Sequence, residues 1–558
     1  MNEGGRSAIR ACNSPTFRRI CDKKFRFPRT RRKDLDMAKA YLVGSGVASL
    51  SAAAFLIREG EFAGADIVIL EEQDRNGGSL DAAGSPETGY TMRGGRMFEI
   101  HFECTYDLLG SIPSLDDPSK SVTEDTFAFH EDFAWDDRAR LVDSSGRVLP
   151  SHDMGFSERD RLELITCSAT PEKELDGKRI TDCFSPGFFE TNFWWMWCTT
   201  FAFEPWHSAI EFRRYLNRFI HLFKTFDSMS GIYRTRFNQY DSIVRPMVKW
   251  LTDQGVTILQ ETTVTDLGLV DGEALTVESI TWTRSGREET VPVAPEDLVM
   301  VTNGSMTASS TTGTTDTAPV LDTSDAGGAW RLWEKLAAKR QGLGNPKVFD
   351  SSIADSTWES FTVTTKDPTF FKLMEEFSGS EAGKGGLITF KDSNWLLTIV
   401  LNHQPHFREQ PEDTFVWWGY ALFPDKEGEH VGKPMRECSG REILREVIGH
   451  LPFGGAGERI VENSIVIPAL MPYITSQFLV RSLGDRPRVV PPGSTNLAFI
   501  GQYAEVPDDV VFTVEYSVRT AWTAVATLLD LDKRPPPVYK GRHDPRVLVE
   551  ALRTMHRH

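Results

Sequence analysis

Three clusters in this sequence combine residue types and spacings that could do chemistry. The first is Gly44-Ser45-Gly46-Val47-Ala48-Ser49, a G-x-G-x-x-S turn followed at some distance by Glu71. Gly44 permits a tight turn, Gly46 lets the backbone approach a pyrophosphate, and the N–H groups of the following helix start face the phosphates. Ala48 belongs to that helix start, Ser49 is a small residue in place of a third glycine, and the Glu71 carboxylate suits ribose hydroxyls. The second cluster is Asn76-Gly77-Gly78-Ser79 with Thr91-Met92-Arg93-Gly94-Gly95-Arg96-Met97, paired glycines that fit a backbone running beside a flat ring. The third is Asn402-His403-Gln404-Pro405-His406. No Cys or Glu stands at ligand spacing from its two histidines, so the expectation is no metal and a polar or carboxylate head held by Asn and His.

The elements needed to position these groups are legible. Tyr41–Val43 reads as a buried strand, Leu50–Arg58 as an Ala-rich helix, and Ile67–Leu70 as a second strand that ends on Glu71. This order predicts an α/β chain, an FAD-binding Rossmann-type protein of the two-dinucleotide-binding-domain kind, with an inserted substrate domain and a helical C-terminal region. Further helices are expected at His101–Leu109, Pro205–Phe226, Ser242–Leu251 and Val510–Leu529, the last capped by Asp508-Asp509. Val256–Leu259 with Val264 reads as the later strand that meets adenine, Leu275–Val293 as a β-meander, and Asp297–Val301 as a buried strand returning the chain to the cofactor at Ser305. Strands are also expected at Trp395–Leu401, Phe415–Tyr420 and Asn496–Gln502. Phe193–Phe203 is dense in aromatics and suits either plain core or the wall of a long apolar pocket.

The predicted organisation is a basic, disordered leader at 1–36, a discontinuous FAD-binding domain (37–130, 230–325, 485–530), a substrate-binding cap (131–229, 326–484) and a helical tail at 531–558. Residues 115–190, inside this scheme, look polar and irregular. The leader holds eleven Lys and Arg against four Asp and Glu, a surplus of seven positive charges, so the rest of the chain carries −24 and the whole chain −17. That acidity argues against nucleic acid as a partner. The seven cysteines form no C-x-x-C pair, which reads as reduced thiols in a cytoplasmic protein. No apolar run approaches the ~18 residues of a spanning helix, although the basic tail could touch an anionic membrane surface.

Several strings together carry a resemblance: YLVGSGVASL, RGGRM then HFEC, EPWHSAIEFRRYL, FNQYDS, NHQPHF, MPYITSQF and FIGQYAEVPDDVVFTVEYSVRTA. From about Lys39 to Pro536 the chain resembles the oleate hydratases, the family also called myosin-cross-reactive antigen. The resemblance implies an FAD-dependent hydro-lyase, most active with reduced flavin, FADH2. Such an enzyme adds water to the cis double bond of an unsaturated fatty acid such as oleate, giving a hydroxy acid of the 10-hydroxystearate type without net redox change. It works as a monomer or homodimer. Carried over by position, it puts the cofactor on Gly44, Gly46, Ala48, Glu71, Ser79, Gly95, Val264, Ser305 and the Asp509–Ser517 segment with Thr513. Ser49, Gly78 and Arg96 join that set from the motifs themselves.

The same resemblance makes Tyr215 the catalytic proton donor and places Asn402 and His406 on the substrate carboxylate. Two positions depart from it. Val400 stands where many members have Thr, and Met97 stands where many have the water-activating Glu, a role for which nearby Glu99 and Glu103 are the candidates. Two rival readings share these motifs: a flavin-dependent oxidoreductase acting on a long apolar substrate, and a non-catalytic fatty-acid-binding protein.

Overall fold

The computed structural model describes residues 38–385 and 387–557; the expected leader at 1–36 lies outside the described residues. From Lys39 onward the chain is one compact unit. A five-stranded parallel sheet runs in the order Leu497–Ile500, Leu298–Thr302, Ala40–Val43, Ile67–Leu70, Thr257–Leu259. Ala40–Val43 is buried along its whole length, which its unbroken apolar run dictates for a central parallel strand covered on both faces. The chain leaves this strand toward Ile67–Leu70 and returns on its other side at Leu298–Thr302. The crevice at its C-terminal end is therefore a topological switch point, where α/β sheets bind ligands. Helix Val47–Arg58 starts from that crevice and is nearly all buried, which explains its alanines. It packs on helix Val514–Leu528, with Phe55 stacked on Trp522 at 4.8 Å.

The antiparallel meander appears as Thr262–Leu269, Val277–Arg284 and Arg287–Pro292. A larger eight-stranded sheet contains Trp358–Thr365, Leu397–Val400, Phe415–Ala421 and Ser464–Met471. Strand alternation gives it two faces. Phe361, Val363, Leu397, Ile399, Trp417 and Val466 enter a core shared with helices Thr369–Ser378 and Gly440–Gly449. The other face carries Thr362 and Thr364, whose hydroxyls accept from the backbone N–H of Met92 (3.3 Å) and Tyr90 (2.9 Å) in the hairpin Ala82–Met92. This sheet is thereby fixed over the nucleotide end of the parallel sheet.

Four local expectations need correction. The helix expected at Pro205–Phe226 is Ala209–Phe219 followed by a 3₁₀ segment, Ile220–Thr225. The one expected at His101 begins at Glu103. The polar segment 115–190 holds two real helices, Val122–Asp132 and Glu158–Ala169, each opened by a capping box (Ser121 with Glu124, Ser157 with Asp160). The last helix begins at Val514 rather than Val510, because Phe512 turns into the left-handed region (φ 68°) and Thr513, not Asp509, caps it through the Tyr516 N–H. In the tail, helix Pro545–Met555 docks on Ile220–Thr225, and Leu548, Val549 and Leu552 stay exposed. Among the described residues no helix is long and apolar enough to cross a membrane.

Candidate active site

A cleft of about 430 Å³ opens at the switch point, lined by Gly44, Gly46, Ala48, Glu71, Gly78, Ser79, Arg96, Val264, Ser305, Thr513 and Ser517. Gly44 has φ +91°, a conformation that demands glycine. Gly46 is the N-cap of helix Val47–Arg58, with no side chain covering the first helical N–H groups. A Cβ built on Gly46 would meet no protein atom within 4 Å, so the space beside the free N–H groups is open toward the cleft. Those two features fit a pyrophosphate. Glu71 accepts from Ser45 N and Ser45 Oγ (2.6 Å each) and from Gln73 N (2.8 Å), tying the glycine turn to the second strand. Burial raises its pKa above the ordinary carboxylate value.

Ser49 is buried away from the cleft: its Oγ lies 3.1 Å from Thr302 Oγ1, so its role is close helix–strand packing. Gly95 is exposed and is not part of the cleft lining. Asp509 is fully buried and accepts from Arg519 Nε at 2.7 Å, which makes it an anchor of the 509–512 turn. The cleft is also lined by Gln502, which no motif marked, by Phe512 of the expected Asp509–Ser517 segment, and by Asn303, beside the expected Ser305. Asn303 is buried with both amide atoms unpartnered, as befits a group awaiting a ligand. Its signal was its place directly after the apolar strand. Gln502 holds the turn, donating to Thr513 O (3.0 Å) and Ser517 Oγ (2.8 Å) and accepting from Phe512 N.

Tyr215 sits on helix Ala209–Phe219, buried in a cage of Phe201, Phe203, Phe219 and Phe478 whose ring centroids lie 4.9–5.7 Å away. Its hydroxyl donates to Val511 O at 2.5 Å. Burial pushes the phenol well above its ordinary pKa, Glu211 and Asp509 push the same way, and Arg96 is the cation that opposes them. The Arg96 guanidinium lies over Phe512, 4.9 Å from the ring centroid, and burial draws it down to about 10. The aromatic helix Asn192–Phe201 is mostly buried core, and its Phe201 forms part of the Tyr215 cage. Rings also run from Trp418 through Tyr420, Trp358, Phe512 and Phe478 to Tyr215 at centroid separations of 4.8–6.2 Å.

Met97 lies in the irregular segment before helix Glu103–Leu109. Glu99 is not a free base. It is buried, with Arg218 Nη2 at 2.7 Å and His221 Nε2 at 3.0 Å. Burial alone would raise its pKa, but Arg218 and His221 outweigh it and hold the carboxylate at about 2. A proton acceptor near neutral pH cannot be built from it. Glu99, His101 and His221 bring ligand atoms within 4.8 Å of one another, as do His430, Glu446 and His450. In the first group Arg218 already occupies the carboxylate, and in the second Glu446 accepts from three backbone N–H groups at 2.8–2.9 Å. Asn402 and His406 are buried with Nδ2 and Nε2 unpartnered; Val400 pairs with Trp418 in the sheet.

The parallel sheet, the glycine turn at its switch point and the antiparallel sheet over the cleft define a Rossmann-type flavoprotein fold. The same fold occurs in the solved structures of cyclohexylamine oxidase from Brevibacterium oxydans IH-35A and of putrescine oxidase bound to putrescine. Both have a TM-score of 0.51, identities of 12% and 11%, and coverage of 88% of this chain and 99% of theirs. The chain belongs to the MCRA family, whose model matches residues 37–526. It is 40% identical to an oleate hydratase of Streptococcus pyogenes serotype M49 (strain NZ131) over 539 residues, covering 95% of this chain and 91% of that protein. It is 34% identical to a linoleate hydratase of Lactiplantibacillus plantarum, covering 93% and 98%.

Proposed function

We propose that this protein is a hydro-lyase that adds water across the cis double bond of oleate or a related unsaturated fatty acid, with FAD as cofactor and no net redox change. The observation that carries this reading is a buried phenol, Tyr215, in a phenylalanine cage beside a cation, Arg96, that lines the nucleotide cleft. In this reading Gly44, Gly46 and Ala48 hold the pyrophosphate, Glu71 the ribose, Val264 the adenine, and Gly78, Ser79, Ser305, Arg96, Thr513 and Ser517 the remainder. The parallel sheet and its hairpin form the cofactor part; the eight-stranded sheet and the aromatic helices form the fatty-acid part. Bound FAD, most active as FADH2, would supply a flat electron-rich face against the alkene.

The chain's own residues do the rest. The aromatic run excludes water and holds the acyl chain in line. Tyr215 passes its proton to one alkene carbon while a water oxygen bonds to the other, and the proton lost by that water restores the phenol. Arg96 lowers the cost of the transient phenolate. With Met97 unable to take a proton, water is held by backbone and neighbouring polar groups and has no dedicated carboxylate. The protein works in the cytoplasm, and the exposed Leu548, Val549 and Leu552 of the docked tail helix suit peripheral contact with a membrane that supplies fatty acid. Conversion of oleate by wild type and Tyr215→Phe at matched flavin content tests the assignment: equal turnover would remove Tyr215 from the chemistry.

A further inference from the structure

Arg234 makes no ion pair among the described residues, although the charge of Asp137 acts on it. Its Nε and Nη2 are buried and meet no acceptor among the described residues. The group lies over Trp135, with Cζ 4.0 Å from the ring centroid, and burial pulls it down to about 9 against the opposing charge of Asp137. Asp137 itself stays beside Arg140, 3.5 Å from its Nε. Arg236, two residues on, has its own carboxylate in Asp125 at 3.9 Å. Two buried N–H groups of a cation that meet no acceptor are costly unless a ligand supplies one.

The groups around Arg234 point to what comes. Asn402 Nδ2, His403 Nδ1 and His406 Nε2 are likewise buried and unpartnered. Asn238 ties this loop to the arginine segment, donating to the His406 carbonyl from N (2.9 Å) and Nδ2 (3.1 Å). Burial, with the nearby arginines adding to it, keeps His403 at about 4 and His406 at about 3, so both imidazoles are neutral at neutral pH. One cation among neutral donors fits a ligand with a single negative charge and at least two acceptor atoms.

We infer that Arg234 is the charged half of the head-group site, holding the fatty-acid carboxylate together with the neutral donors Asn402 and His406. The inference rests on the fatty-acid reading above and deepens it: selection for the free acid over the ester or alcohol comes from one arginine. A planar guanidinium can take a carboxylate through two parallel N–H bonds. It also supplies a donor that does not depend on position 400, where Val400 offers no hydroxyl.

Binding to the FAD-loaded protein, read by titration calorimetry with myristate and with tetradecan-1-ol, tests this apart from turnover. Arg234→Gln is expected to weaken myristate binding at least about tenfold, or ~1.4 kcal/mol, and to leave the alcohol's affinity at the wild-type value. Arg234→Lys should fall between, because it keeps the charge and loses the fork. In turnover, Arg234→Gln should raise KM for oleate far more than it lowers kcat. Myristate binding unchanged in a variant of normal Tm and flavin content would overturn the proposal, as would an equal loss for acid and alcohol. Should the variants fail to fold, wild type alone decides: the FAD-loaded protein should bind myristate at least about tenfold more tightly than tetradecan-1-ol. Equal affinities for acid and alcohol overturn the proposal. A wild-type protein that binds neither ligand would instead sink the fatty-acid reading itself.

Discussion

The Tyr215 hydroxyl donates to the Val511 carbonyl at 2.5 Å, and the next two residues of that turn, Phe512 and Thr513, line the nucleotide cleft. A single hydrogen bond thus couples the candidate proton donor to a segment of the cleft lining. Tyr215→Phe removes one hydrogen bond, which costs about 0.5–1.5 kcal/mol of stability. Loss of the proton donor should lower kcat roughly 100- to 10,000-fold. Flavin content and fatty-acid affinity should be unchanged, so steady-state kinetics beside a binding titration separates the two effects.

Gly46 offers a split between stability and cofactor binding. A methyl group there meets no protein atom within 4 Å, so Gly46→Ala should leave Tm at the wild-type value. The same methyl occupies the space assigned to the pyrophosphate. FAD affinity should then fall at least about tenfold, ~1.4 kcal/mol. A fluorescence titration of apoprotein with FAD measures this, and undiminished affinity would move the phosphates elsewhere in the cleft.

Much of this site is legible because it is local in sequence. Strand, glycine turn, helix and acidic strand end follow one another from Ala40 to Glu71, and each leaves its mark within a few residues. The capping boxes at Ser121 and Ser157 were equally local signals, obscured by the acidic residues around them. What could not be read is long-range. Asp509 looks like an N-cap until Arg519 is seen to claim it, and Glu99 looks like a spare base until Arg218 and His221 do. Arg234 gives no pattern at all, since its meaning lies in two buried N–H groups that meet no acceptor among the described residues.

Glu99 acts in stability, with a defined pH signature. Its carboxylate is held at about 2 in the folded protein, below the ordinary value of 4.5. A depressed acid contributes stability that is fully present above its unfolded pKa and is lost as pH falls through the folded one. Glu99→Gln removes the nearer carboxylate of buried Arg218, leaving Asp509 at 3.9 Å, and should cost about 3 kcal/mol at neutral pH. The gap to wild type should narrow between about pH 4.5 and about pH 2 in urea melts. A gap that persists unchanged at the acid end would show that the ion pair is not its source.

Met97 sets the mode of water activation. If no dedicated carboxylate is used, Met97→Ala should keep turnover within a few-fold of wild type, and Met97→Glu, which puts a carboxylate at this position, should raise it. A collapse of turnover in Met97→Ala at normal flavin content would show that the thioether itself shapes the water site.

The most direct measurement is the oxygen source of the product. The FAD-loaded, reduced protein is incubated with oleate in heavy-oxygen water under anaerobic conditions, and the products are read by mass spectrometry. Hydration predicts a hydroxy acid carrying one solvent oxygen, with no reducing equivalents consumed. A product without solvent oxygen, or one formed in step with flavin oxidation, would contradict hydration and make the protein an oxidoreductase.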